Sequence, residues 1–199
     1  MEILQIISIL FPAVILHECA HGWVAWRLGD STAKVAGRLT LNPLKHVDPL
    51  GTVILPVLLF LLRSDFFIGW AKPVPVNFMN LRHPRRDMML VALAGPATNI
   101  ALALAASMLL KLNVSSEIVP WLYQAIWINL LLAIFNSIPI PPLDGSRLVM
   151  ALLPKSLAYF YAQMEGYGLL IVVVLLSLGF FQAFILPMVF LLAYFLGVR

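Results

Sequence analysis

Six apolar stretches divide this chain, at about 3–26, 50–62, 86–110, 118–137, 157–178 and 181–197. A helix needs about 20 residues to cross the hydrocarbon of a bilayer. Five of the six stretches approach that length; the one at 50–62 does not. Charged residues make up 11% of the chain and hydrophobic residues 62%. A soluble domain averages about 25% charged, so the solvent this sequence is built for is lipid.

Arg63 and Asp65 close the short stretch, and Gly69-Trp70-Ala71-Lys72-Pro73-Val74-Pro75-Val76 follows soon after. Alternating prolines forbid a helix there and favour extended backbone. The sequence therefore predicts that 50–78 enters the membrane and returns to the same side. With the first helix running inward, this puts Arg27, Lys34, Arg38, Lys45, Arg82, Arg85, Arg86, Arg147, Lys155 and Arg199 on the cytoplasmic side. That is ten of the thirteen basic residues, the asymmetry expected of cytoplasmic loops. The segment 31–48, with Val35, Leu39, Leu41, Gly37 and Asn42-Pro43, is expected to form a small β-hairpin at the membrane surface. The predicted fold is an all-α polytopic membrane protein with five to six transmembrane helices, a re-entrant extended segment and a small surface β element. It is read as one domain over 1–199, with a catalytic core over about 1–150 and additional transmembrane helices over about 157–199.

The net charge of +4 belongs to this topology, and no nucleic-acid motif accompanies it. Cys19 is the one cysteine, so no internal disulfide can form. The first apolar stretch has no basic leader or small-residue cleavage site, and it carries the strongest motif in the chain, so it is not expected to be a removable signal.

That motif is His17-Glu18-Cys19-Ala20-His21. Positions i and i+4 share a helix face, so both imidazoles can reach one metal ion, with Glu18 beside them as a general base. Two imidazoles and an open position suit zinc. Ionisable residues inside a membrane helix are costly and are usually functional. A catalytic zinc needs a third protein ligand. Asp144 follows an apolar stretch directly, in Asn136-Ser137-Ile138-Pro139-Ile140-Pro141-Pro142-Leu143-Asp144-Gly145. In the topology above it lies at similar depth to the histidines, which sit roughly 8–15 Å below the interface marked by Trp26 and Arg27 at 1.5 Å per residue. An N-cap role for Asp144 is the alternative reading; the matching depth favours the ligand. Asn99 is read either as a bridge between helices or as a donor to a developing oxyanion. His46 and His83 are expected to be solvated in basic loops, Cys19 to pack, and Gly166 and Gly168 to give local flexibility.

Four features together resemble the site-2 protease family of intramembrane zinc metalloproteases, peptidase family M50. They are His17 to His21, Gly69-Trp70-Ala71-Lys72-Pro73-Val74-Pro75-Val76-Asn77, Gly95-Pro96-Ala97-Thr98-Asn99, and Asn136 through Asp144-Gly145. The resemblance implies one zinc ion held by His17, His21 and Asp144, with Glu18 as the base. It implies that Asn136 helps hold substrate or the oxyanion. It also implies that the extended segment, with Pro73, Val74, Pro75 and Val76, receives an unwound transmembrane substrate, with Asn99 as a further substrate contact. No PDZ domain or CBS pair is evident, so the chain resembles a minimal member. The implied partners are transmembrane protein substrates and the lipid bilayer. The implied location is the cell (plasma) membrane, multi-pass, with the active site nearer the cytoplasmic side. The rival readings are a metal or ion pathway and an inactive relative that binds membrane proteins without cutting them.

Overall fold

The computed structural model describes residues 2–62, 69–112 and 114–198, and within these the regular secondary structure is all helical. Helix α1 (Glu2–Arg27) is continuous through Pro12. A single helical turn, α2 (Thr32–Val35), follows, and then a 3-10 turn at Pro43–Lys45. A π turn at Pro49–Ile54 runs into α3 (Leu55–Leu61). After the extended stretch 69–77 come α4 (Pro84–Leu110), α5 (Val119–Asn136) and α6 (Asp144–Leu152). The chain ends with α7 (Lys155–Gln163), α8 (Gly168–Ser177) and α9 (Leu186–Phe195).

Helix α4 is the central element and packs against α1, α5 and α6. Its buried stripe is rich in small residues, with Ala92, Gly95 and Pro96 on one stretch and Ala103, Ala106 and Ser107 two turns on. Lipid-soluble helices have no hydrophobic drive to associate, so small side chains that let backbones approach supply the contact. A second layer joins α4 to α5 and α9 through Ala103, Ala106, Ile126, Leu130, Ile185, Val189 and Ala193. Large apolar side chains such as Leu104, Met108, Phe190 and Phe195 face outward, the reverse of a soluble bundle.

Four helices are long and apolar enough to cross a membrane: Leu4–Arg27, Pro84–Leu110, Val119–Asn136 and Lys155–Ser177. The stretch expected to give a fifth span forms a shorter apolar helix, Phe181–Phe195. Residues 50–61 are too short to span. Arg63 and Asp65, expected to close that stretch, lie outside the described residues, as does Arg199. On either side of this gap the chain meets itself. The Trp70 N–H donates to the Gly51 carbonyl at 3.2 Å, and the Thr52 hydroxyl donates to the Trp70 carbonyl at 2.8 Å.

The expected surface β element is absent from the described residues, and 31–48 is built of turns. Gly37, expected in a hairpin turn, has φ +63° and ends a helical turn instead. Its N–H bonds the Lys34 carbonyl, and the Arg38 N–H reaches back to Ala33. A left-handed glycine serves a helix C-terminus as well as a hairpin, and the short apolar pattern did not separate the two. His46 is likewise corrected. It is fully buried, with Nε2 donating to the Thr40 carbonyl at 2.8 Å. His83 is exposed, as expected.

Asp30 ties the end of α1 to the end of the extended stretch. Its carboxylate is fully buried and accepts from the backbone N–H of Thr32 and of Asn77, the Asn80 amide and the Thr32 hydroxyl. Burial pushes its pKa up, but these donors outweigh it and hold the carboxyl below the usual range. The contribution of Asp30 to stability is therefore present above its unfolded pKa of about 4 and is lost as pH falls through the lower folded value. Replacement of Asp30 by Ala strands several donors and should cost about 2 kcal/mol, or roughly 4–8 °C of thermal midpoint in detergent. The difference between variant and parent should shrink in melts recorded below about pH 4.

Candidate metal centre

His17 and His21 fall on the face of α1 that meets α4. An added Cβ at Gly95 would overlap both imidazoles, so only glycine lets α4 come this close. The Nδ1–H of His21 donates to the Val91 carbonyl at 2.6 Å. A carbonyl can only accept, so this bond fixes the tautomer and leaves Nε2 with a lone pair. His17 Nδ1 lies 2.6 Å from Asn99 Oδ1. The Asn99 amide in turn donates to Asn129 Oδ1 at 2.9 Å, and the Asn129 amide donates to the Ala125 carbonyl at 2.8 Å. The direction of this chain sets the His17 proton on Nδ1 and frees its Nε2 as well. Three helices thus aim two imidazoles.

Asp144 supplies the third donor. It occupies the first position of α6, whose N-cap is Leu143, and no side-chain capping bond is made there, so the N-cap alternative fails. Its Oδ2 lies 3.1 Å from His17 Nε2 and 3.1 Å from His21 Nε2, and the two Nε2 atoms are 3.0 Å apart. With both ring protons on Nδ1, no hydrogen lies between these three atoms, and Asp144 Oδ2 is buried without a hydrogen-bond partner. Three lone pairs turned on one another are costly without a cation. The group has the donor chemistry of a zinc site, two imidazoles and a carboxylate.

Glu18 is half-buried beside this group, and its Oε2 accepts the Val74 N–H at 2.8 Å. The extended stretch is anchored along its length. The Lys72 N–H donates to the His46 carbonyl at 2.9 Å, and Arg38 donates to the Lys72 carbonyl at 2.7 Å. Val74 is buried, whereas Pro73 is exposed and Pro75 and Val76 are half-buried. Cys19 packs, as expected, with its thiol 3.2 Å from the Thr40 carbonyl.

Asn99 is fully buried and bonded to His17 and Asn129, so of its two expected readings it takes the bridge between helices. Asn136 donates to the Leu132 carbonyl of its own helix at 3.0 Å, and no hydrogen bond joins it to the three-donor group. Asn129 was missed. Its signal was an amide set in the apolar run of α5, two turns before Asn136.

The family model of peptidase family M50 matches residues 111–180. YwhC of Bacillus subtilis, named a candidate zinc metalloprotease, is 41% identical over 176 residues, covering 83% of this chain and 77% of its own length. Rip2 of Mycolicibacterium smegmatis, named in the same way, is 34% identical over 169 residues, covering 81% of this chain and 62% of its own. A protein of Methanocaldococcus jannaschii named a zinc metalloprotease is 27% identical over 154 residues, covering 76% of this chain and 35% of its own. No solved structure matches the chain.

Loss of a ligand's hydrogen-bond partner commonly weakens metal affinity by about 10–100-fold. Asn99→Ala should fall in that range for zinc or cobalt in a chelator competition. Asn129→Leu, one bond further out, should lose about tenfold or less. Parent affinity in both variants would remove the relay from the account.

Proposed function

The chain belongs to peptidase family M50, and on that premise we propose that it cuts transmembrane segments of other membrane proteins within the cell membrane. It is a multi-pass zinc metalloprotease. The observation that carries the finer reading is the donor triangle of His17, His21 and Asp144, with an unsatisfied buried carboxylate oxygen at one corner. These residues would hold the metal. Zinc bound there supplies a Lewis acid for the scissile carbonyl and for water.

Glu18 is the general base. Its Oε2 is held by the Val74 N–H, which leaves Oε1 to take the proton of the attacking water and to return it to the leaving amine. The same bond lays the extended stretch across the helix that bears the histidines. A substrate helix hides its peptide bonds and must unwind before attack, and its freed N–H groups then need acceptors. Pro73 and Pro75 have no N–H of their own, so the stretch offers carbonyls to a strand added alongside it. The bonds from Gly51 and Thr52 to Trp70 support the re-entrant reading. The distribution of basic residues supports a cytoplasmic position for the loops around Arg38 and Arg85, and so for the active site.

The test is a cleavage assay on purified, zinc-loaded protein with a panel of model transmembrane substrates. The parent should cleave and hold one zinc per chain. Glu18→Gln should hold the same zinc and cleave about 10²–10⁴-fold more slowly. Zinc-replete Glu18→Gln cleaving like the parent would sink the base assignment. A zinc-replete parent that cuts no transmembrane segment but cuts unfolded soluble peptides would overturn the substrate class.

A further inference from the structure

The loop that delivers Asp144 has few bonds of its own to hold it. Residues 138–143 include Pro139, Pro141 and Pro142, which have no N–H, and the internal bonds of the loop are Ile140 N–H to Ile138 and Leu143 N–H to Ile140. Helix α4 packs along α6, and the helices after residue 155 hold the loop itself at several points. In α7 the Tyr161 hydroxyl donates to the Pro139 carbonyl at 2.6 Å. In the turn after α7, Glu165 accepts from Arg147 Nη2 at 2.8 Å, and Arg147 lies one turn beyond Asp144 on α6. At the start of α8, Gly168 is buried against Pro141, where an added Cβ would overlap the proline carbonyl. Further along α8, Val172 and Leu176 line a small apolar pocket together with Ile138 and Ile140.

We propose that α7 and α8 form a clamp that sets Asp144 against His17 and His21, making Tyr161 and Gly168 positioning residues of the metal centre. The inference rests on the metal reading above. It also changes the standing of the C-terminal helices, which become part of the site rather than an addition to a complete core.

Two glycines two residues apart provide an internal control. A Cβ at Gly166 meets nothing within 4 Å, whereas one at Gly168 meets backbone that cannot move aside cheaply. The experiment uses the purified full chain in detergent, with zinc retention measured against a graded chelator and the cobalt-substituted protein examined by absorption for ligand geometry. Gly168→Ala should weaken metal retention about tenfold or more and alter the cobalt bands. Tyr161→Phe keeps the ring and removes one hydroxyl, and should weaken retention by roughly three- to tenfold. Gly166→Ala should match the parent, and circular dichroism should show parent helicity in all three. Should Gly168→Ala fail to fold, Tyr161→Phe decides the matter alone. Parent-like retention and cobalt bands in Tyr161→Phe and in any folded Gly168→Ala overturn the clamp while leaving the metal site standing. Equal damage from Gly166→Ala and Gly168→Ala also overturns it. A parent that retains no metal overturns the site reading, and the clamp with it.

Discussion

Three atoms bearing lone pairs meet inside an apolar bundle, and much of the surrounding structure answers the cost of that meeting. In water such a triangle would be solvated at little expense; among helices each polar group must find a partner in the protein. The ring protons of His17 and His21 go to Asn99 and Val91. The Asn99 amide goes to Asn129, and the Asn129 amide goes to Ala125. Each donor group in this line has an acceptor, and the atoms left facing one another are the three suited to a metal. The direction of the network is thus what turns a cluster of polar residues into a ligand set.

Close approach makes the network possible. The asparagine of α4 can reach a histidine of α1 because Gly95 has no side chain to hold the helices apart. The small-residue stripe continues through Ala103 and Ala106 to the contact with α5 and α9, so one helix face serves both the site and the bundle. A bulkier residue at position 95 would act on the chemistry and the packing together, since the atoms it would displace are the His17 and His21 imidazoles themselves.

The three-donor group was legible in the sequence because helix periodicity alone puts positions 17 and 21 on one face, and because the charge pattern puts Asp144 at the depth of the histidines. The long helices were legible from apolar length. What stayed hidden depended on contacts between distant segments. Asn129 is one amide in an apolar run until Asn99 is known to lie opposite it. His46 sits in a basic loop and is buried only because the extended stretch folds over it, with Lys72 donating to its carbonyl. Asn136 belongs to a recognisable motif, yet its amide turns back on its own helix. The surface β element failed for a local reason, since the same left-handed glycine can close a hairpin or a helix.

Prolines recur wherever irregular backbone runs past the site: Pro73 and Pro75 in the extended stretch, and Pro139, Pro141 and Pro142 before Asp144. Non-helical backbone is costly beside apolar helices chiefly because its N–H groups must be satisfied, and proline has none. Such segments can therefore lie against the bundle with little polar debt, but they also lose the means to hold their own shape. Their remaining polar groups are fixed by side chains from elsewhere: Arg38 on the Lys72 carbonyl, Glu18 on the Val74 N–H, and Tyr161 on the Pro139 carbonyl. The donor-poor backbone that lets these loops approach the site is thus the reason residues far apart in sequence help set its geometry.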